Sequence, residues 1–175
     1  MAELWELYDG EKRPTGKTMV RGEPVPKGSW HIIVSIWTLT ADGRLLLTQR
    51  CPKKKFALEW EGTAGSVVAG ENSLQGALRE LREETGLAAK PEELRLMSST
   101  KADRFFFDNY LYLCPEREPK LSLQPEEVSD ACFVELSELE AWRPRLAPPA
   151  WDRFCRDRAV IEAAAAACKK RQHPV

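Results

Sequence analysis

The chain has 175 residues, 43% of them hydrophobic, and 26 Lys and Arg stand against 27 Asp and Glu for a net charge of -1. That length suits one domain with a substantial core, and the near-zero charge gives no electrostatic reason to expect DNA, RNA or an anionic membrane as partner. No run approaches the ~20 apolar residues of a membrane span, and the start MAELWELYDGEKR lacks the basic and apolar regions of a secretory signal.

Residues 3–9 (ELWELYD) alternate apolar and polar types and predict an edge strand, and a Gly- and Pro-punctuated connection follows over residues 10–28. Residues 30–40 (WHIIVSIWTLT) are rich in β-branched and aromatic types. With Asp42-Gly43 as the turn and residues 44–50 (RLLLTQR) returning, they predict a hairpin. Residues 50–66 read as irregular, and the run Lys53, Lys54, Lys55 as a solvated loop. Over residues 72–85, Leu74, Ala77, Leu78 and Leu81 recur at helical spacing, with Asn72 and Gln75 as a capping box and Gly86 as the stop. Strands are expected at residues 94–98, 105–114 and 131–136, a short helix at 137–142 and a longer one at 150–171. The basic end of the last helix, Lys169, Lys170 and Arg171, complements the helix dipole. The expected architecture is α/β, a mixed sheet covered by helices on both faces. Five scattered cysteines (Cys51, Cys114, Cys132, Cys155, Cys168) without a CxxC suit reduced thiols and a cytoplasmic location.

The stretch at residues 65–87, GSVVAGENSLQGALRELREETGL, carries the chemistry. At about 100° per residue, Glu80, Glu83 and Glu84 share one arc of the helix beside the arc of Leu74, Ala77, Leu78, Leu81 and Thr85. Arg79 lies one turn before Glu83 and can pair with it. Three carboxylates so close repel one another, which leaves two readings. Either they form a solvated acidic face countered by Arg79 and Arg82, or they hold a hard divalent cation, Mg²⁺ or Mn²⁺ by their oxygen-only donors.

This stretch resembles the Nudix box, G-x5-E-x7-R-E-U-x-E-E-x-G-U with U aliphatic. Gly65, Glu71, Arg79, Glu80, Leu81, Glu83, Glu84, Gly86 and Leu87 fill its fixed positions. The resemblance implies a Nudix-type α/β/α sandwich over residues 1–175, with residues 1–29 as an N-terminal β extension. It also implies a Mg²⁺-dependent pyrophosphohydrolase that cleaves a nucleoside diphosphate linked to another moiety. Glu80, Glu83 and Glu84 would bind Mg²⁺ (Mn²⁺ as a substitute), joined by the backbone carbonyl of Ala64. Glu71 and Arg79, with Gly65 and Gly86, would brace the loop and helix. The base that takes the proton from water would be Glu80 or Glu127, with Glu126 in reserve.

The N-terminal half is similar to the isopentenyl-diphosphate-isomerase-like branch, in which His31 would match a metal histidine. Ala64 stands where the isomerase has a catalytic cysteine and Ser66 where it has a second metal histidine, so the resemblance implies a hydrolase of that branch. His31 itself reads as a packed or surface residue. A non-catalytic nucleotide-binding domain is the alternative from another class. Arg50, Lys54 and Arg104 are candidate phosphate contacts, and Trp60 or Phe105 candidate stacking partners for a base, with core packing the competing role for both aromatics. The expected partner is a small nucleotide or other diphosphate, with no nucleic acid and no membrane, and a homodimer is compatible with the sequence.

Overall fold

Why the strand-forming stretches pair as they do is visible in a computed structural model that describes residues 2–172. The strands are β1 (Leu4–Tyr8), β2 (Pro14–Val20), β3 (His31–Leu39), β4 (Leu45–Arg50), β5 (Trp60–Glu61), β6 (Thr63–Ser66), β7 (Leu94–Lys101), β8 (Phe105–Leu113) and β9 (Val128–Val134). The helices are α1 (Ser73–Thr85), α2 (Leu139–Trp142) and α3 (Pro148–Gln172). β1 and β2 form their own antiparallel pair, and the remaining strands make a seven-stranded sheet ordered β5-β4-β3-β8-β7, with β6 on β3 and β9 on β4. β3 and β8 run parallel over nine paired positions.

β3 sits at the centre because both of its faces are apolar. Ile32, Val34 and Ile36 pack with Ala77 and Leu81 of α1, whereas Trp37 and Leu39 pack with Phe154 and Ile161 of α3. The two long helices therefore cover opposite faces, as expected of a Nudix-type α/β fold. Each such large side chain, fully buried, contributes about 1.5–3 kcal/mol. The β1–β2 pair is stapled on by Tyr8 and Trp30, which exchange backbone hydrogen bonds of 2.8 and 3.0 Å, and by Ala69 N–H donating to the Leu4 carbonyl at 2.8 Å.

The predicted hairpin is corrected in one respect. Its turn forms, with Gly43 at φ +82° donating to Thr40, but β3 and β4 pair only at Leu39 and Leu45. Beyond that point β6 takes the edge of β3 from Ile33 to Ile36, and β4 diverges to pair with β5 and β9. The sheet splits there, and the split is the floor of the cleft described below. Residues 50–66 thus hold two short strands rather than irregular chain, joined at Gly62, where a Cβ would meet the Ile36 carbonyl at 2.9 Å. The connection at residues 10–28 likewise contains β2, whose mostly exposed residues carry no apolar alternation to betray it. The third predicted strand starts earlier, at Val128, because pairing with Arg50 of β4 sets its register.

Candidate functional site

α1 is held at both ends by its own sequence. The Asn72 side chain accepts from the Gln75 N–H, the Gln75 side chain accepts from the Asn72 N–H, and Gly86 at φ +78° donates to the Arg82 carbonyl. These caps fix where Glu80 and Glu84 emerge. Both carboxylates turn toward the cleft in the split sheet, and Glu84 is only 3% exposed. Gly65 of β6 explains itself by contact: a Cβ there would overlap the Glu80 carboxylate.

The cleft encloses about 500 Å³. Glu80, Glu83, Glu84, Ala64 and Gly65 line it on the α1 side, and Arg50 at the end of β4, with Lys54 and Glu127 from the loops after β4 and before β9, line it too. Glu80, Glu83 and Glu84 do not converge on a single point, and among the described residues no group of three Asp, Glu, His or Cys side chains forms a ready-made metal cage. The repulsion expected from the sequence is relieved instead by two basic side chains. Arg79 donates to Glu80 at 2.7 Å and to Glu83 at 3.0 Å, and its other nitrogens hold both oxygens of Glu71 and the Ser66 carbonyl. Lys54 lies between Glu84, at 3.2 Å, and Glu127. Glu83 is about half exposed, so the acidic arc is split between the buried Glu84, the partly buried Glu80 and a rim residue.

Burial sets the electrostatics. Desolvation pushes the Glu84 carboxyl up to about 8 despite Lys54, with Glu80 and Glu61 adding like-charge repulsion. Glu80 is also raised, by burial first, against the pull of Arg79. Glu61, 7% exposed, was missed by sequence reasoning. It pairs with Arg50 and, at 3.4 Å, with Arg153 of α3. An acid set between Trp60 and Gly62 carries no pattern that separates it from a loop carboxylate. Arg153, flanked in sequence by Asp152 and Phe154, is no more legible.

The remaining candidates divide. Arg50 lines the cleft, but its guanidinium is committed to Glu61 and the Lys55 carbonyl. Glu127 lines the cleft, whereas Glu126 is exposed and takes no part in the lining. Phe105 lines it together with Phe107, the rings edge-on at 5.1 Å. Trp60 does not: it is 4% exposed in the α3-side core, edge-on to Trp142 at 5.3 Å, since its position in β5 turns it away from the opening. Arg104 is likewise outside, paired with neighbouring Asp103 at 3.4 Å and reaching the Val25 carbonyl, because the turn before β8 faces the N-terminal strands. His31 is packed, 5% exposed and stacked on Trp5 at 4.3 Å; burial lowers its pKa to about 4.

The family model of the NUDIX domain matches residues 29–155. Over 143 residues, 81% of this chain and 85% of its counterpart, the sequence is 35% identical to an uncharacterized Nudix hydrolase of Listeria monocytogenes. The crystal structure of a Deinococcus radiodurans protein superposes with a TM-score of 0.72 at 19% identity, covering 89% of this chain and 99% of that one. A bifunctional NMN adenylyltransferase/ADP ribose pyrophosphatase of Francisella tularensis, complexed with AMP and a Mn ion, superposes with a TM-score of 0.62 at 17% identity over 79% of this chain and 42% of that one. At such identities the structural likeness is one of fold.

Proposed function

Because the chain belongs to the Nudix family of hydrolases, we propose that it is a Mg²⁺-dependent pyrophosphohydrolase cleaving a nucleoside diphosphate linked to another moiety. The observation that carries this reading is Glu84, a carboxylate buried in an open-mouthed cleft and costly to ionise there without a cation beside it. Lys54 already supplies one positive charge between Glu84 and Glu127, so the position tolerates a cation. The donors are all oxygens, which fits Mg²⁺ or Mn²⁺ rather than Zn²⁺. Glu80 and Glu84 would hold the ion, with Glu83 at the rim and the carbonyl of Ala64, whose N–H donates to Glu84 at 3.4 Å, as the further oxygen. A divalent ion held there would neutralise diphosphate charge and lower the pKa of water.

The side chains of the chain do the rest. Arg79 keeps Glu80 and Glu71 in their rotamers through three hydrogen bonds, so the carboxylate does not have to be ordered on each turnover. Glu127, across the cleft from α1, takes a proton from the attacking water. Lys54, no longer needed between carboxylates, donates to a phosphate oxygen.

The test is hydrolysis of a panel of nucleoside diphosphate derivatives, followed by chromatographic appearance of the nucleoside monophosphate in Mg²⁺, in Mn²⁺ and in chelator. Turnover of at least one compound, abolished by chelator, is expected. A panel left intact at millimolar Mg²⁺ by well-folded protein would overturn the reading.

A further inference from the structure

The proposed chemistry uses the carboxylates of α1 together with Lys54 and Glu127. The part of the cleft lined by β8 and the start of α3 is built differently. Phe105 and Phe107, two apart on β8, project from one face of the sheet and line it, and Ala147 and Pro149 line it from the start of α3. Between them stands Arg153, 4% exposed, its guanidinium 4.8 Å from the centre of the Phe107 ring. α3 holds it there because Ala150 and Phe154, on either side of it, are 0% and 1% exposed in the core.

Arg153 is under-used by the protein. Its Nη2 donates to Glu61 at 3.4 Å, a long bond, and its Nε has no hydrogen-bond partner. A guanidinium carries five N–H donors in one plane, and buried donors left unmet are costly. Glu61 is moreover shared with Arg50, so one carboxylate serves two guanidinium groups and one positive charge is left over. A planar donor backed by one phenyl face, beside a second ring edge-on to it, suits a flat ring whose carbonyl oxygens lie in the ring plane. It suits a phosphate less well, because apolar walls would strip a doubly charged group of water against a single net charge.

We propose that Arg153 and the Phe105–Phe107 wall form the subsite for the planar, carbonyl-bearing ring of the substrate, and that Arg153 is the residue determining which ring is accepted. The assignment rests on the pyrophosphohydrolase reading for what lies at the α1 end, but the ring subsite binds whether or not hydrolysis follows.

Two measurements separate the two claims. In the first, the full-length protein in chelator is titrated calorimetrically with AMP, GMP, CMP and UMP. Wild-type protein is expected to bind at least one of GMP, CMP and UMP, whose rings carry a carbonyl, more tightly than AMP, whose ring carries none. Arg153→Met, which keeps the aliphatic stem and leaves Arg50 to neutralise Glu61, is expected to weaken that binding tenfold or more. Arg153→Lys is expected to remain weak, since a point charge does not replace a planar fork. Phe105→Leu guards against a folding artefact at Arg153 and is expected to weaken the same nucleotide severalfold. In the second, KM and kcat are compared for a ring-bearing diphosphate and for a diphosphate ester with an aliphatic group in its place. Arg153→Met is expected to raise KM for the ring-bearing compound about tenfold more than for the aliphatic one.

Failure of wild-type protein to bind any of the four nucleotides, or a preference for AMP over the other three, would overturn the subsite. So would equal binding by well-folded Arg153→Met, or equal KM changes for both esters. Absence of hydrolysis with nucleotide binding intact would overturn the pyrophosphohydrolase reading and leave the subsite standing.

Discussion

Glu84 concentrates the physics of the site in one side chain. An exposed glutamate titrates near 4.5, whereas burial raises this one to about 8. Between those values the folded protein without metal binds a proton that the unfolded chain gives up. Stability from this group is therefore greatest below about pH 4.5 and is lost as pH rises to about 8. Melting temperature in chelator is expected to fall across that interval, and Glu84→Gln, which cannot titrate, is expected to flatten the fall. A wild-type slope equal to that of Glu84→Gln would show that burial does not act on this carboxyl. The same variant is expected to lower kcat by about 10²–10³-fold while keeping its fold, because shape is retained and charge is lost. Divalent ions bind the ionised form, so binding below pH 8 releases a proton, measurable as a calorimetric enthalpy that varies with the ionisation heat of the buffer.

At the scale of elements, α1 and β6 are matched parts. The capping box at Asn72 and the left-handed Gly86 set the limits of the helix, and Gly65 leaves room for Glu80 on the neighbouring strand. Asn72→Ala is expected to cost about 1 kcal/mol in denaturant unfolding with little effect on turnover. Gly65→Ala is expected to do the reverse: its new Cβ displaces the Glu80 carboxylate, so kcat falls at least tenfold while stability changes less. If both variants lost stability and activity together, the helix would not be a separable platform. These features were legible in the sequence because capping and box spacing act within one or two turns. The short strands β5 and β6 were not, since two- and four-residue strands fall below any readable period and form only when the split between β3 and β4 offers them an edge.

Across the whole molecule, the α1-side and α3-side cores meet through β3, and the cleft opens where the sheet between them divides. Anything that binds the cleft in the folded state and not the unfolded chain adds to stability by mass action. At about 100 times its dissociation constant, Mg²⁺ is expected to contribute ~2.7 kcal/mol and to raise the melting temperature by roughly 5–10 °C. Unchanged melting in millimolar Mg²⁺ and Mn²⁺ would remove the case for a metal at Glu80 and Glu84. No helix among the described residues is long and apolar enough to cross a membrane.

Local spacing by itself determined α1, its caps, its glutamates and the pairing of Arg79 with Glu83; the resemblance to the Nudix box added the family and the brace of Glu71 on Arg79. It did not determine that Lys54 would stand between Glu84 and Glu127, that Glu61 would join Arg50 to Arg153, or that Trp60 would turn into the core while Phe105 and Phe107 faced the cleft. Those meetings join residues from 11 to 92 positions apart. They depend on which strand edge β6 occupies and on how α3 crosses the sheet. A side chain's periodicity reports the face it shares with near neighbours. The partner waiting on that face is decided only when the sheet closes and the helices pack.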